Sequence, residues 1–378
     1  MNKVRARDLG IPFTGVPGPN NAITDIPGVL VGYTTLITGE GSVEIGAGPV
    51  RTGVTAILPR GYSDQPKPVW AGFFSFNGNG EMTGAHWVND AGYFTGPICL
   101  TNTHSVGMVH HAAVGWMINQ YPTFYKDSHS WAMPVVAETF DGLCNDICGR
   151  HVTESQALSA LNNASSGPIA EGNVGGGTGM LTYEFKGGTG TSSRQLTFGE
   201  NTYTVGVLVQ SNFGLRDDLT IRGVPVGQEW PDQAPLTEMS MGETGSIVVI
   251  IGTDVPLLPS QLKRLAKRGG IGIGRTGTPG GHYSGDLMLA FSSANEQDVL
   301  PMTSNKQPFV NSMEFLDDHY IETVYGAAVE AVEEAVLNAL VAAQTMEFAK
   351  PAHKKAHAVD HQRLQAVMRK YNRLNDAV

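Results

Sequence analysis

The apolar run IVVII at residues 247–251 constrains this chain more than any other feature. A short run of this length, bounded by turn residues, is typical of a strand buried in a protein core. Gly245-Ser246 comes directly before the run, so a hydroxyl lies at the mouth of the predicted strand. The sequence therefore predicts a buried strand whose first side chain is a candidate nucleophile.

Ser246 becomes a reactive group if the peptide bond before it is cut. A serine hydroxyl is a weak nucleophile until a base accepts its proton, and an α-amine, with a pKa of about 7.7–8.0, is such a base. Cleavage between Gly245 and Ser246 would give one residue both groups. On the dipeptide alone, a turn that leads into a strand is the simpler interpretation. The rest of the chain must decide between the two.

The composition indicates a globular α/β protein. The 378 residues are 41% hydrophobic, enough for a sizeable core in one large domain or two smaller ones. The 47 glycines and the low charged fraction of 16% are typical of a layered fold with many short strands. The net charge of −10 and the absence of a basic run argue against general nucleic-acid binding.

The sequence gives no sign of a membrane or secretory protein. The first ten residues lack an apolar signal core, and no stretch reaches the roughly 18–20 apolar residues of a membrane span, so a cytoplasmic protein is expected. Cys99, Cys144 and Cys148 are an odd number of cysteines and predict free buried thiols. No second pair or nearby histidine completes Cys144 and Cys148 as a metal site.

Strand-like and helix-like segments alternate along the chain, without a fixed-period repeat. Strands are predicted at residues 28–35, 54–58, 180–185, 203–210, 246–252 and 287–291, and helices at 104–121, 153–163, 260–267 and 321–346. Thr153 and Gln156 predict a capping box, and Gly269-Gly270 predicts the end of the third helix. The polar stretch 230–245 is predicted to be an exposed loop that leads to Ser246.

Polar residues at the ends of other predicted strands are candidates for the same site. Ser284 and Asp286 precede the strand at 287–291, and their spacing puts both side chains on one face of an extended chain, where they can orient a proton acceptor. Asn212 follows the strand at 203–210, where its amide can donate to an oxyanion. A simple turn is the alternative for both segments.

Three further features of the sequence bear on binding. Glu138 follows an apolar run and is predicted to end a buried strand, where it can meet a cationic amine; a capping role is the alternative. The glycine-rich stretch 175–179 lacks the Gly-Lys-Ser/Thr of a phosphate loop, so it is predicted to pack closely beside a small substrate, with backbone N–H groups as donors. His104, His110 and His111 lack an acidic partner at metal-ligand spacing and are predicted to be core or surface residues.

Residues 245–266, GSIVVIIGTDVPLLPSQLKRLA, resemble the self-cleavage junction of the DmpA-type aminopeptidases. That family includes L-aminopeptidase/D-amidase/esterases and β-peptidyl aminopeptidases. The resemblance covers nearly the whole chain, including residues 5–10 (RARDLG), 21–25 (NAITD) and 171–180 (EGNVGGGTGM). It implies a four-layer αββα fold similar to that of ornithine acetyltransferase, formed by a single domain 1–378 that cuts itself into fragments 1–245 and 246–378.

The resemblance also implies a role for each candidate residue. Ser246 matches the N-terminal nucleophile, and Asn212 matches the amide that stabilises the oxyanion. Ser284 and Asp286 match the supporting hydroxyl–carboxylate pair, at whose second position family members have either Glu or Asp. Glu138 matches the acid that holds the free amine of the substrate.

The expected activity is that of a self-processing serine aminopeptidase. It would release amino-terminal residues from short peptides, amides or esters, including β-peptides and D-amino-acid derivatives, through an acyl-enzyme and without a metal or organic cofactor. Phe140 is expected at the substrate, where the aminopeptidase branch has a tyrosine, so that hydroxyl is absent here. The resemblance implies a tetramer of cleaved protomers. The alternatives are an acyl or aminoacyl transferase on the same fold and a non-catalytic small-molecule-binding protein.

Overall fold

Two β-sheets lie face to face between two layers of helices in the computed structural model, which describes residues 4–127, 130–297 and 310–375. The strands are β1 Leu30–Thr38, β2 Val50–Leu58, β3 Pro68–Gly78, β4 Tyr93–Thr95, β5 Ile98–Asn102, β6 Val135–Thr139, β7 Leu181–Thr182, β8 Phe185–Lys186, β9 Gly188–Phe198, β10 Asn201–Asn212, β11 Ser246–Thr253, β12 Gly285–Ser292, β13 Met346–Glu347 and β14 Lys355–Ala356. The helices are α1 Ala85–Ala91, α2 Val106–Gln120, α3 Pro122–Asp127, α4 Glu154–Asn162, α5 Pro235–Glu238, α6 Pro259–Gly274, α7 Ile321–Val341 and α8 His361–Lys370.

Three apolar cores join the four layers. One sheet has the strand order β1-β2-β5-β6 and the other the order β4-β3-β12-β11-β10-β9. The middle core fills the space between the sheets and includes Ile57, Val248 and Leu289. The outer cores lie between the six-stranded sheet and helices α6 and α7, and between the four-stranded sheet and helices α2 and α4. The architecture is the αββα sandwich that the family resemblance implies.

Strand β11 is buried on both faces. The odd-numbered residues of the run 247–251 contact the core beneath the helices, and the even-numbered residues contact the core between the sheets. The strand pairs with β10 in antiparallel register, with Asn212 opposite Ser246, and with β12 in parallel register. The predicted buried strand is confirmed, and Ser246 is its first residue.

Most of the predicted elements are present with shifted ends, and one helix end is wrong. Helix α6 does not stop at Gly269-Gly270 but continues to Gly274. A Cβ atom built on Gly269 would lie 2.6 Å from Cγ of Met288, so the glycine is there because the helix approaches β12 closely. The fourth helix is shorter than predicted: the sequence predicts that it runs to residue 346, whereas α7 ends at Val341.

Two segments, one predicted as a strand and one as an exposed loop, differ from the predictions. Residues 180–185 are not one strand but parts of the hairpin β7–β8, whose turn residues Tyr183 and Glu184 have φ angles of 50° and 62°. The stretch 230–245 contains helix α5 and begins at Trp230, which is fully buried. The buried guanidinium of Arg216 donates hydrogen bonds to three carbonyl groups of residues 230–233. The loop before Ser246 is therefore anchored at its start.

Four strands of the two sheets were not predicted as separate elements, namely β3, β4, β5 and β9. Strand β9 shows why a pattern of apolar residues misses such a strand. Its residues 191–194 are Thr-Ser-Ser-Arg, and all four are buried. Their side chains bind polar partners: the Ser192 hydroxyl, for example, donates to the carbonyl of Ala331 in α7 at 2.6 Å.

The cysteines are free, as predicted, but only Cys99 and Cys144 are buried. Cys148 lies in a short 3-10 helix at the surface and is exposed, so the prediction of a buried thiol is wrong for this residue. None of the helices in the described ranges combines the length and hydropathy that a membrane crossing needs.

Candidate active site

Ser246 lies at the edge of the six-stranded sheet where β10 ends and β11 and β12 begin. Its hydroxyl donates to the carbonyl oxygen of Gly245 at 2.7 Å and accepts a hydrogen bond from the N–H of Gly285 at 3.1 Å. The same N–H lies 3.2 Å from the Gly245 oxygen. The Ser246 oxygen thus lies against the carbonyl group of the preceding peptide bond, with a backbone donor beside both atoms.

Ser284 and Asp286 meet at the start of the same two strands. The Ser284 hydroxyl donates to Oδ1 of Asp286 at 2.6 Å, and the N–H of Ile247 donates to the same oxygen at 3.2 Å. Burial raises the pKa of the Asp286 carboxyl above its usual range, and these hydrogen bonds oppose the rise only in part. Oδ2 of Asp286 is buried and makes no hydrogen bond of normal geometry among the described residues, although the nearby Asn77 amide helps to lower the pKa of this carboxyl. A cation placed beside this oxygen would be stabilised.

Asn212 ends β10 directly opposite Ser246, and its amide is held in one orientation. Oδ1 accepts from the N–H of Leu181 at 2.8 Å, and Nδ2 donates to the carbonyl of Phe140 at 3.0 Å. The backbone donor Leu181 identifies the amide oxygen, so the NH₂ group is the end that faces Phe140. An amide NH₂ has two hydrogens, and one remains for an oxyanion.

Glu138 lies near the end of β6 and is almost fully buried. Oε1 accepts from the N–H of Glu81 at 3.0 Å, and Oε2 accepts from the hydroxyl of Thr103. Burial raises the pKa of the carboxyl, against the effect of both hydrogen bonds. A Cβ atom built on Gly80 would lie 3.2 Å from Oε1 of Glu138 and 3.4 Å from Cα of Gly285. Gly80 thus lies between Glu138 and Gly285, and the N–H of Gly285 binds the Ser246 hydroxyl, so Glu138 lies close to Ser246.

Phe140 contributes its carbonyl group to the site and its ring to the surface. The carbonyl accepts the hydrogen bond from Asn212, while 45% of the residue's surface is exposed. The ring lines a mainly apolar cavity beside Gly245, together with Leu143, Leu181, Leu236 and Met241. The sequence-based assignment of Phe140 to the substrate region remains a prediction, and the backbone contact is a feature that it missed.

Asn77 is a further residue of the site that sequence reasoning missed. Its Oδ1 accepts from the N–H of Asp286 at 2.8 Å, and its Nδ2 donates to the carbonyl of Gly281 at 2.8 Å. One side chain thus holds both ends of the turn that includes Ser284. The signal in the sequence is NGNG at residues 77–80, a run of turn residues that directly follows an aromatic strand.

The glycine-rich stretch 175–179 lies apart from this chemistry. The N–H of Gly175 donates to the hydroxyl of Thr35, and that of Gly176 to the hydroxyl of Thr55, so these two groups are not donors to a substrate; for Gly179 the expectation stays a prediction. Their role is close packing between the two sheets, as the hypothetical Cβ contacts of Gly176 and Gly177 with neighbouring backbone atoms indicate. Within the described ranges, no group of three or more His, Cys, Asp or Glu residues is arranged to hold a metal ion.

Comparison with known proteins identifies close relatives. The sequence matches the model of peptidase family S58 over residues 21–353. It is 49% identical over 382 residues to the β-peptidyl aminopeptidase BapA of Sphingosinicella microcystinivorans, covering 98% of this chain and 93% of that protein. The structure matches that of the L-aminopeptidase D-Ala-esterase/amidase of Ochrobactrum anthropi, with a TM-score of 0.91, 55% identity and coverage of 98% and 99%. A Burkholderia sp. β-aminopeptidase matches with a TM-score of 0.86, 43% identity and coverage of 97% and 99%.

Proposed function

Because this chain belongs to peptidase family S58, and is therefore a hydrolase of the aminopeptidase class, we propose that it processes itself at Gly245-Ser246 and acts through Ser246. The observation that carries the proposal is the 2.7 Å contact between the Ser246 hydroxyl and the Gly245 carbonyl oxygen. A nucleophile held against a carbonyl group in this way needs only a small movement to attack it. Family membership argues against the alternative of a non-catalytic binding protein.

Self-cleavage begins when the Ser246 oxygen attacks the carbonyl carbon of Gly245. The N–H of Gly285 supports this step, since it lies 3.2 Å from the oxygen on which negative charge develops. The proton of the Ser246 hydroxyl passes to the Ser246 nitrogen, the C–N bond breaks so that this nitrogen becomes a free amine, and an ester joins Gly245 to the hydroxyl oxygen. Water hydrolyses this ester and gives fragments 1–245 and 246–378.

The new α-amine of Ser246 has two tasks in the cut protein. As a free base it accepts the hydroxyl proton during attack on a substrate, and it passes that proton to the departing amine. As an ammonium ion it is a suitable partner for the unpaired Oδ2 of Asp286. The raised pKa of the Asp286 carboxyl in the uncut chain is consistent with a group whose cationic partner appears only after cleavage.

Substrate hydrolysis uses the remaining groups of the site. Glu138 holds the free ammonium of the substrate, and the second hydrogen of the Asn212 amide stabilises the oxyanion. The acyl group passes to Ser246, and water releases it. Removal of one oxyanion donor typically costs about 2.7–4 kcal/mol of transition-state stabilisation.

The surroundings of Gly245 support a preference for acyl groups without an L-configured side chain at the carbon next to the carbonyl. A Cβ atom built on Gly245 would lie 2.7 Å from Cα of Phe213 and would also collide with the carbonyl of Asn212. A substrate bound in the same place fits as a β-residue, whose carbon next to the carbonyl is unsubstituted, or as a D-residue. Relative kcat/KM values for β-alanyl, D-alanyl and L-alanyl p-nitroanilides test this; a clear preference for the L-alanyl compound contradicts it.

The first test of the proposal is the intact mass of the purified protein under denaturing conditions. We expect fragments 1–245 and 246–378 from the wild type and one uncut, inactive chain from Ser246→Ala. Ser260→Ala is the matched control, because Ser260 is an exposed residue at the start of α6. An active, cleaved Ser246→Ala protein contradicts the assignment of the nucleophile.

A second test uses the glycine before the cut. Gly245→Ala should leave the chain uncut, because the added methyl group displaces the carbonyl group from Ser246. Gly242→Ala is the control, since a Cβ atom built on Gly242 meets no atom within 4 Å. Rapid cleavage of the Gly245→Ala chain would show that the close packing at this residue is not needed.

The proposal includes the assembly of cut protomers into a tetramer, as the resemblance to the family implies. Light scattering of the purified protein checks this, and a mass equal to one protomer contradicts it.

A further inference from the structure

One acidic side chain in the segment before the cut is turned inward. Residues 240–244 are exposed except for Glu243, which is partly buried. Oε1 of Glu243 accepts a hydrogen bond from the N–H of Gly214 at 2.8 Å. A Cβ atom built on Gly281 would lie 2.8 Å from Cδ of Glu243, so the carboxylate also contacts the turn that leads to Ser284.

These contacts fix one end of a three-residue segment, and Gly245 fixes the other. Gly245 packs on the end of β10, where a Cβ atom would lie 2.7 Å from Cα of Phe213. Residues 243–245 therefore run alongside residues 212–214 and are held at both ends. The carbonyl group at the end of this segment is the one that the Ser246 hydroxyl contacts at 2.7 Å.

We infer that Glu243 is a positioning residue for self-cleavage and takes no part in the chemical step of substrate hydrolysis, although its side chain lines the cavity beside Gly245. The inference rests on the proposed function, since it requires that Ser246 cuts the bond before it. Glu243 acts through the backbone: its hydrogen bond to Gly214 keeps the Gly245 carbonyl group in place. Reactions between groups held in this way are sensitive to displacement, and a shift of about 1 Å can cost about 100-fold in rate.

The contact requires an acceptor oxygen rather than a negative charge. The donor is a backbone N–H, so the amide oxygen of glutamine can replace the carboxylate oxygen of Glu243. The charge itself lies in unfavourable surroundings, because burial, and then the charges of Asp286 and Asp218, raise the pKa of Glu243. Glu243→Gln should therefore keep the positioning contact, while Glu243→Ala removes it.

The experiment follows self-cleavage of the full chain after a pulse of cell-free translation. We expect Glu243→Gln to be cut within about threefold of the wild-type rate, and Glu243→Ala about 10- to 100-fold more slowly. Glu238→Gln is the matched control in the same segment. The Glu238 carboxylate pairs with Lys354 at the surface, so its loss should leave the rate of cleavage unchanged.

The second readout is turnover of an aminoacyl p-nitroanilide, normalised to the amount of fragment 246–378. We expect cut Glu243→Ala protein to keep the wild-type kcat, because a substrate brings its own carbonyl group, whereas its KM can change because Glu243 lines the cavity beside Gly245. An equal loss in cleavage and turnover would indicate a general role in folding and overturn the inference. If Glu243→Ala is cut as fast as the wild type, this inference alone is overturned. If the wild-type chain stays uncut, the proposed self-processing is overturned and the inference with it.

Discussion

Two groups of buried carboxylates, in different regions of this protein, have opposite surroundings. Glu334 of α7 lies beneath β9, where its oxygens contact Arg7 at 2.8 Å and Arg194 at 2.7 Å. Although burial acts to raise it, these partners hold the pKa of Glu334 below its usual range. At the strand ends, Glu138 and Asp286 take part in no ion pair within the described ranges, and burial raises the pKa of both.

The difference separates carboxylates that hold the fold from carboxylates that are available to a ligand. A buried anion that is already paired with guanidinium groups has little to gain from another cation. A buried carboxyl without a cation is destabilised in its charged form, and an arriving ammonium ion relieves that cost. The two unpaired groups lie where the proposed function puts two ammonium ions, those of the substrate and of Ser246.

The paired region also joins the two proposed fragments. Arg7 and Arg194 belong to residues 1–245, whereas Glu334 belongs to residues 246–378. Asn21 adds a hydrogen bond across the same boundary, at 2.6 Å to Oε1 of Glu334. Cutting the chain therefore leaves the pieces joined by a buried polar cluster as well as by the sheet pairing of β10 with β11.

The largest effect on stability is expected for Glu334→Gln. This change leaves the buried Arg194 guanidinium without its main anion, and breaking a buried pair typically costs about 3–5 kcal/mol. Urea unfolding of the uncut Ser246→Ala chain measures the change in free energy of unfolding at neutral pH. Glu330→Gln is the control, because Glu330 is partly exposed and contacts Arg194 only at 3.4 Å. Equal losses for the two variants would break the distinction between paired and unpaired regions.

Asp141 provides the next largest effect, and its sign depends on pH. Burial raises the pKa of this carboxyl to about 6. Because the unfolded value is about 3.9, the native state binds the extra proton between these two values, and the contribution of Asp141 to stability falls as the pH rises from about 4 to about 6. Asp141→Asn removes this loss, so its stability relative to the parent should rise by about 3 kcal/mol over that window.

Asp146 is the matched control for this measurement, since it lies five residues away and its pKa shifts in the other direction. Hydrogen bonds from His151, Gly46 and Gly149 outweigh burial and lower the pKa of Asp146. Asp146→Asn should therefore lose stability relative to the parent as the pH rises from acid to neutral. The same trend in both variants would contradict the assignment of opposite shifts.

Much of the fold could be predicted because the middle of the six-stranded sheet has apolar strands. Residues 247–251 and 287–291 are buried on both faces, so their sequences are continuous apolar runs. Strand β9 is equally buried but binds its neighbours through Thr, Ser and Arg side chains, which a hydrophobic pattern reads as a loop. The glycines of α6 led to a wrong helix end for a related reason. Gly269 is there because the helix packs closely against β12, and such a contact cannot be recognised from the neighbouring residues in the sequence.

The site was predictable where a polar residue directly adjoins an apolar strand. Ser246, Asn212, Glu138 and the Ser284–Asp286 pair all have this signature. Glu243 lacks this signature, and Asn77 is marked only by the turn residues that follow its strand. Each acts on a backbone group far away in sequence, Gly214 for Glu243 and Gly281 for Asn77. Such contacts exist only once the strands are paired, so the spacing of residues along the chain does not report them.

Glu138→Gln sharpens the comparison within the site itself. Loss of a hydrogen bond to a charged group costs about 1.5–3 kcal/mol, so KM for substrates with a free amine should rise about 10- to 100-fold. Self-cleavage should be unchanged, because the junction peptide has no free amine. The control is Glu81→Gln, since Glu81 binds Glu138 through its backbone N–H and keeps that contact. If Glu138→Gln blocks self-cleavage, the Glu138 carboxylate takes part in the reaction at Ser246 instead of binding the ammonium group of the substrate.

The smallest effect is expected for Phe140→Leu, a change in the side chain of a residue whose hydrogen bond to the site comes from its backbone. The carbonyl that accepts from Asn212 remains, so kcat should stay within about threefold of the wild type, while the altered cavity wall changes KM between substrates. Asn212→Ala, by contrast, should lower kcat about 100- to 1,000-fold, since it removes the oxyanion donor itself. A Phe140→Leu protein with a comparable loss in kcat would mean that the ring, and not the carbonyl, sets the position of the amide. The contrast between the two variants thus decides whether the half-exposed aromatic residue belongs to substrate selection or to the reaction centre.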